Sequence, residues 1–316
     1  MDKRTRVLNA MDKKQVDHVP VGFWYHYSGA QAVGEVCIKA HIDYYREIDA
    51  DMIKIMSDQY FNYPVGIKTE KASDWYKLRP LGMDHPFFQD QVTRARRIKE
   101  EVGDECAVFY NIFAPFSSLR FGAGDELIMR HIKEDKEAVM YALSVVQQDN
   151  ADLAEVVIKE AKNDGIYYPV QGGELSRFKY DEYKEIVTPS DLFVLEHANS
   201  FSEYNILHLC GWAGDKNRLE VWRDYPAKTI NWAVHVEEVS LNQGREYFHD
   251  RCCLGGFQNV RPGILFYGTK AEIQNYTHNI IDVFGKTGLI LGGDCTLPAE
   301  VPHERMKWVI EASRQK

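Results

Sequence analysis

Apolar residues along this chain fall into short runs rich in β-branched and aromatic side chains, separated by longer stretches with helical spacing. Eight runs read as strands: Val19–Tyr25, Met52–Asp58, Cys106–Phe113, Ile166–Gly172, Asn205–Gly211, Thr229–Val234, Cys252–Phe257 and Gly288–Gly293. The intervening stretches Ile38–Ile48, Phe88–Val102, Glu126–Lys162, Tyr180–Ala198, Val236–Phe248, Lys270–Phe284 and Pro302–Arg314 read as helices, with Glu126–Lys162 broken in two near Asp135. Strand alternating with helix is the mark of a parallel sheet. Eight such units in a chain of 316 residues predict an α/β fold, the (β/α)8 TIM barrel. With no internal repeat and no Pro- or Ser-rich linker, residues 1–316 are expected to form a single domain. Phe61–Pro86 is too long for a simple connector and is expected to run over the barrel mouth.

Composition narrows the class. An apolar share of 45% is ample for a core, and a net charge of −9 disfavours broad nucleic-acid binding. The basic run Arg94, Arg96, Arg97 and Lys99 is followed at once by Glu100 and Glu101, and so reads as a solvated helix face. The opening MDKRTRVLNAMDKKQ has no apolar core of a leader, and no apolar run is long enough to cross a bilayer, so a cytoplasmic location is expected. Six cysteines in such a chain are expected to be reduced thiols.

In a (β/α)8 barrel the chemistry gathers at the C-terminal ends of the strands. His208 and Cys210 close the fifth predicted strand, and Cys295 follows the eighth. Two thiolates and an imidazole, with a fourth position open, form a donor set suited to catalytic zinc. Buried cysteines also serve as small apolar side chains, and a buried histidine is often a satisfied core residue. Other polar residues fall in the same ring: Asp58, Asn111, Glu174, His235, Gln258, Asn259 and Asp294. Glu174 is the first candidate for the fourth zinc position, with Asp294 another; a helix N-terminus or an ion pair explains Glu174 equally well. His235 and Asp58 are candidates for proton handling or for orienting the ligands, against a purely structural role. Cys252 and Cys253 are set aside as ligands, because adjacent strand residues point to opposite faces. The aromatics between Phe23 and Phe116 are candidates for an apolar pocket wall, with core packing the simpler reading.

The segments RVLNAMDKKQVDHVPVGFW, DADMIKIMSD, ILHLCG, INWAV and LGGDCTLPAEVPHERMKWVIEASR together resemble the uroporphyrinogen decarboxylase superfamily over essentially the whole chain. True porphyrinogen decarboxylases carry an arginine motif after the first strand and a Gly-His pair after the last. Here those places read YHYSGAQAVGE and GGDC, without the arginine or the histidine. A tetrapyrrole bearing many carboxylates needs fixed cations, so the departure is chemical. The zinc-dependent corrinoid methyltransferases of the superfamily, the methylcobamide:coenzyme M enzymes among them, carry His-x-Cys with a distant Cys. His208, Cys210 and Cys295 match that motif. Cobalamin-independent methionine synthase shares the same ligand logic.

The resemblance implies a zinc-dependent methyltransferase that moves a methyl group between a corrinoid and a small thiol or O-methyl substrate. Its cofactors would be Zn2+ and a corrinoid (methylcobalamin) presented by a small partner protein. Asp58 matches the aspartate that faces the pyrrole nitrogens in the decarboxylases. Two other readings stand beside this one: a metal-free decarboxylase using Asp58, and a non-catalytic binder of a tetrapyrrole or a corrinoid protein.

Overall fold

Each of the eight apolar runs forms a strand, and the strands lie parallel in one sheet. They are β1 (Val21–Gly22), β2 (Met52–Ile55), β3 (Ala107–Asn111), β4 (Gly165–Val170), β5 (Ile206–Leu209), β6 (Thr229–Trp232), β7 (Cys252–Phe257) and β8 (Leu289–Gly293). The structure, a computed structural model, describes residues 1–211 and 214–316. Hydrogen-bonded order runs β1-β8-β7-β6-β5-β4-β3-β2. The two end strands meet through Asp51: its amide donates to the Val21 carbonyl at 2.9 Å and its carboxylate accepts the Val21 amide at 2.9 Å. The result is a nearly closed (β/α)8 barrel, one domain with helices around it.

Both faces of every strand are covered, which is why the strands read as nearly unbroken apolar runs. Alternate residues still divide between two clusters. Met52, Phe109, Tyr167, Ile206, Leu254 and Ile290 fill the barrel interior. Ile53, Val108, Tyr168, Leu207, Ile230 and Leu289 pack outward under the helices. Cys252 faces inward and Cys253 outward, and burial pushes both thiols well above their usual range.

Several expectations change. β1 is only two residues long, and the chain beyond it stays beside the segment that follows its partner β8, through a parallel bridge between Tyr25 and Leu297. Tyr180–Ala198 is two helices, Tyr180–Ile186 and Thr188–Asn199, because Pro189 fits only the first turn of a helix. Val236–Phe248 likewise holds the short helices Val234–Glu237 and Leu241–Tyr247, the second started by a capping box of Ser240 and Gln243. The break at Asp135 is as read: Asp135 caps the helix Lys136–Lys159, accepting from the Ala138 amide.

Lys3–Met11, Pro115–Ala123 and the single turn Ile264–Tyr267 were not anticipated. The first sends Val7, Ala10 and Met11 into the N-terminal end of the barrel. The Phe61–Pro86 excursion starts at the mouth, where Phe61 lines the cavity, and is then strapped to an outer helix. Asp149 of Lys136–Lys159 accepts from the Tyr63 hydroxyl at 2.6 Å and from the amides of Leu81 and Gly82. The basic run is not wholly solvated either. Arg94 is buried and donates to the carbonyls of Ala32, Met56 and Asp58, tying the loop after β2 to the turn that ends at Ala32. Among the described residues no helix is long and apolar enough to cross a membrane.

Candidate metal centre and its cavity

The spacing His208-x-Cys210 places both side chains on one face of an extended segment. Leu207 and Leu209 belong to the outer cluster, so that face is the barrel interior. His208 sits in register between Pro169 on β4 and Asn231 on β6. Its ring leans on Tyr167, with centroids 5.4 Å apart. Tyr167 is fixed in turn by a 2.6 Å hydrogen bond from its hydroxyl to Asn231, whose amide donates to the carbonyls of Leu254 and Gly293.

Cys295 arrives from the other side through the turn after β8. A Cβ on Gly293 would sit 2.5 Å from the Cys295 carbonyl oxygen, so glycine is required for that turn to close. Asp294 then pins it. Its carboxylate accepts from the His235 amide, from His235 Nδ1 at 2.6 Å and from the Gly256 amide, and its own amide donates to Phe257. The ends of β6, β7 and β8 are thereby tied together beside Cys295.

His208, Cys210 and Cys295 converge so that one ligand atom from each lies within 4.8 Å of the others. The Cys295 sulfur is 3.3 Å from His208 Nε2. Hydrogen bonding between the two thiols, with His208 adding to it, draws Cys295 well below the usual thiol range and holds Cys210 above it. The cluster therefore already favours a thiolate. Cys210 also receives the Gln171 amide at 3.5 Å. Two buried polar atoms here, His208 Nδ1 and Gln171 Oε1, have no hydrogen-bond partner among the described residues. Such atoms in a native fold mark a place where something else belongs. Soft donors at this spacing fit zinc.

The cluster forms one wall of a cavity of about 200 Å³. Phe61, Phe113 and Phe121 give it an apolar side, and Met56, Asn111, Pro169, Gln171 and Thr296 complete the lining with two basic residues, His26 and Lys54. Lys54 is almost wholly buried on β2. Its ammonium lies 3.8 Å from the Tyr167 ring centroid and 4.9 Å from that of Trp24. Burial pulls it down to about 8, while the charges of Cys295, Cys210 and Asp58 pull the other way. His26 is half exposed and bonds through Nδ1 to Asp58 at 2.8 Å.

The three carboxylate and imidazole candidates read from the sequence occupy different places. Asp58 is buried behind the cavity and accepts from His26 Nδ1 and the Tyr27 amide, so it acts through His26. Glu174 neither joins the cluster nor lines its cavity. Its oxygens are taken by Arg120 and Arg177, each at 2.9 Å, and those arginines share Asp125. His235 belongs to the Asp294 tie and also contacts the Tyr276 hydroxyl at 3.3 Å. No carboxylate lines the cavity among the described residues, which leaves the open side of the cluster to an outside ligand. The sequence reading missed His26, Lys54 and Gln171. The signal for Lys54 was available, because a barrel strand covered on both faces leaves no solvated position for a charge in its middle.

The sequence profile of the family described as uroporphyrinogen decarboxylase (URO-D) matches residues 2–316. The chain belongs to that family. No curated protein matches it in sequence. Among solved structures, a methyltransferase from Methanosarcina mazei superposes with a TM-score of 0.82 at 15% identity, covering 100% of this chain and 99% of that one. A B12-independent methionine synthase from Shewanella sp. W3-18-1, solved with selenomethionine, gives a TM-score of 0.63 at 11% identity, covering 94% of this chain and 97% of its own. At these identities the likeness is one of fold. The URO-D barrel with a soft three-donor cluster at its C-terminal mouth is the frame for any functional reading.

Proposed function

We propose that this URO-D family member is a zinc-dependent methyltransferase that moves a methyl group between a corrinoid carried on a separate small protein and a small thiol or O-methyl substrate. The observation that carries the reading is the convergence of His208, Cys210 and Cys295 on the wall of a cavity, with one side of the cluster left open. His208, Cys210 and Cys295 would hold the metal, and two thiolates would balance its charge. When bound, zinc supplies Lewis acidity that lets a thiol lose its proton near neutral pH or polarises an ether oxygen.

The other residues have separate work. Asp58 accepts the Nδ1 proton of His26, which leaves Nε2 as the basic nitrogen on the cavity side, placed to take a proton from an incoming thiol or return one to a departing alkoxide. Phe61, Phe113 and Phe121 exclude water from the methyl group. Asp294 and Asn231 hold the strand ends so that the donors keep their geometry.

Size supports a separate corrinoid carrier. A cavity of about 200 Å³ lies below the ~300–1,000 Å³ of pockets for drug-sized ligands, so a macrocycle approaches from the mouth. The same cavity offers only Lys54 and His26 as basic groups among its described lining, too few for a porphyrinogen bearing many carboxylates.

Elemental analysis of purified wild type, Cys210→Ser and Cys295→Ser tests the reading. The expected result is about one zinc per chain in wild type and near none in either variant, with methyl transfer from methylcobalamin to thiols, or from aryl methyl ethers to cob(I)alamin, lost in parallel. A wild-type protein with reduced cysteines and no metal overturns it in favour of the metal-free decarboxylase or the binding protein.

A further inference from the structure

Lys54 lacks the partner that a buried ammonium normally has. It sits in the middle of β2 between the inward-facing Met52 and Met56, and makes no hydrogen bond or ion pair among the described residues. The carboxylate whose charge reaches it, Asp58, spends its oxygens on His26 and the Tyr27 amide. Two aromatic faces, Tyr167 and Trp24, attend one side of the ammonium, and the cavity lies on the other. Cation–π contacts offset part of the desolvation of a buried charge, and they leave its N–H donors unmet. A methionine would continue the apolar pattern of the strand at no such cost.

We propose that Lys54 is the anion-binding group of the cavity, so that the small molecule taken there is a carboxylic acid whose oxyanion meets Lys54 while its sulfur or oxygen points to the His208, Cys210 and Cys295 cluster. This rests on the methyltransferase reading for the second half of the statement and on Lys54 alone for the first. Charge agrees with it. With two thiolates balancing a divalent metal, Lys54 is the cation on the cavity wall whose N–H donors are unmet, while the oxygens of Asp58 are taken by His26 and the Tyr27 amide. The apolar side of the cavity suits the body of a short-chain or aromatic acid, and its volume holds one such molecule.

The test is titration calorimetry of the zinc-loaded full chain with matched acids and amides: benzoate against benzamide, 4-methoxybenzoate against 4-methoxybenzamide, and 3-mercaptopropionate against its amide. In wild type at least one acid is expected to bind about tenfold or more tighter than its amide, the step expected of a charge-assisted hydrogen bond. In Lys54→Met, which keeps volume and matches Met52 and Met56, the two members of each pair bind alike, with the melting temperature retained. An acid preference that survives Lys54→Met belongs to the metal and overturns the proposal, as does wild type that shows no preference in any pair. Should Lys54→Met fail to fold, the wild-type pairs and Lys54→Gln decide in the same way. The two readings separate cleanly. A lysine-dependent preference without methyl exchange keeps the acid site and removes the transferase, whereas methyl exchange equally fast with neutral and acidic substrates does the reverse.

Discussion

The two ends of this barrel are built by opposite rules. At the N-terminal end, polar side chains that precede the strands are spent on the backbone of their neighbours. Asp51 accepts from the Val21 amide and pairs with Arg6 at 2.6 Å, Asp164 accepts from the Val108 amide and pairs with Arg4 at 2.7 Å, and Asn205 accepts from the Ile166 amide. The helix Lys3–Met11 then covers the opening. At the C-terminal end the polar groups converge on space. His208 Nδ1 and Gln171 Oε1 are unmet, Lys54 has only rings beside it, and one thiol of the cysteine pair is held ready to ionise. Satisfied polar groups make the first end a foundation. Unsatisfied ones make the second a site, because each retains interaction energy that a ligand can collect.

Breaking the foundation should cost most in stability and nothing in metal. Asp51→Ala removes one of the two carboxylates that hold Arg6, Asp17 keeping the other, and leaves the Val21 amide unmet at the seam between β1 and β2, so a loss of about 3–5 kcal/mol is expected in urea denaturation. Zinc content of the folded fraction should be unchanged; a fall would mean that the two ends are coupled.

Glu174 tests the boundary between the regions. Glu174→Gln removes the charge that Arg120 and Arg177 share and is expected to cost about 2–3 kcal/mol. Metal stoichiometry should stay near one per chain. If it drops instead, Glu174 swings from its arginines into the metal centre and belongs to the site.

The last effect is a pH dependence, absent at neutral pH. His41 is buried and neutral: it accepts from the Met56 amide through Nε2 at 2.9 Å and bonds the Cys37 carbonyl through Nδ1, and desolvation depresses it from 6.5 to about 4. A depressed histidine contributes stability that is complete above about pH 6.5 and is lost as the pH falls toward 4, because the unfolded chain takes up the proton first. The expected loss over that window is roughly 3 kcal/mol. His41→Gln should flatten that part of the stability profile; an unchanged slope would assign it to other groups.

Much of this was legible in the sequence, and the reasons differ by residue. The strand runs stand out because a barrel strand is apolar on both faces, and the ligand trio because sulfur and imidazole at strand ends are chemically rare. The role of Glu174 was out of reach, since its partner Arg120 lies 54 positions away and nothing local announces it. His26 lay in the stretch inspected for a missing arginine, where its pairing with Asp58 across 32 positions could not be seen. Lys54 was passed over inside the run Met52–Asp58, although a charge in the middle of a barrel strand has no solvent to face. The helix Lys3–Met11 was read only for its lack of a leader, although its apolar Val7, Ala10 and Met11 carry the spacing of one helical face.

That first helix and β1 set the order in which the molecule can be completed. Val21 and Gly22 pair with Leu291 and Gly292, Ser313 donates to the Val19 carbonyl, and Val7 and Met11 pack in the same interior cluster as Ile290. Segments as far as 294 residues apart in sequence therefore have to meet before the seam of the barrel closes. Contacts so distant in sequence slow folding, and an unpaired strand invites wrong pairing in the interval. For this chain the time spent with β1 waiting, more than any single contact in the finished barrel, should set how much protein survives synthesis.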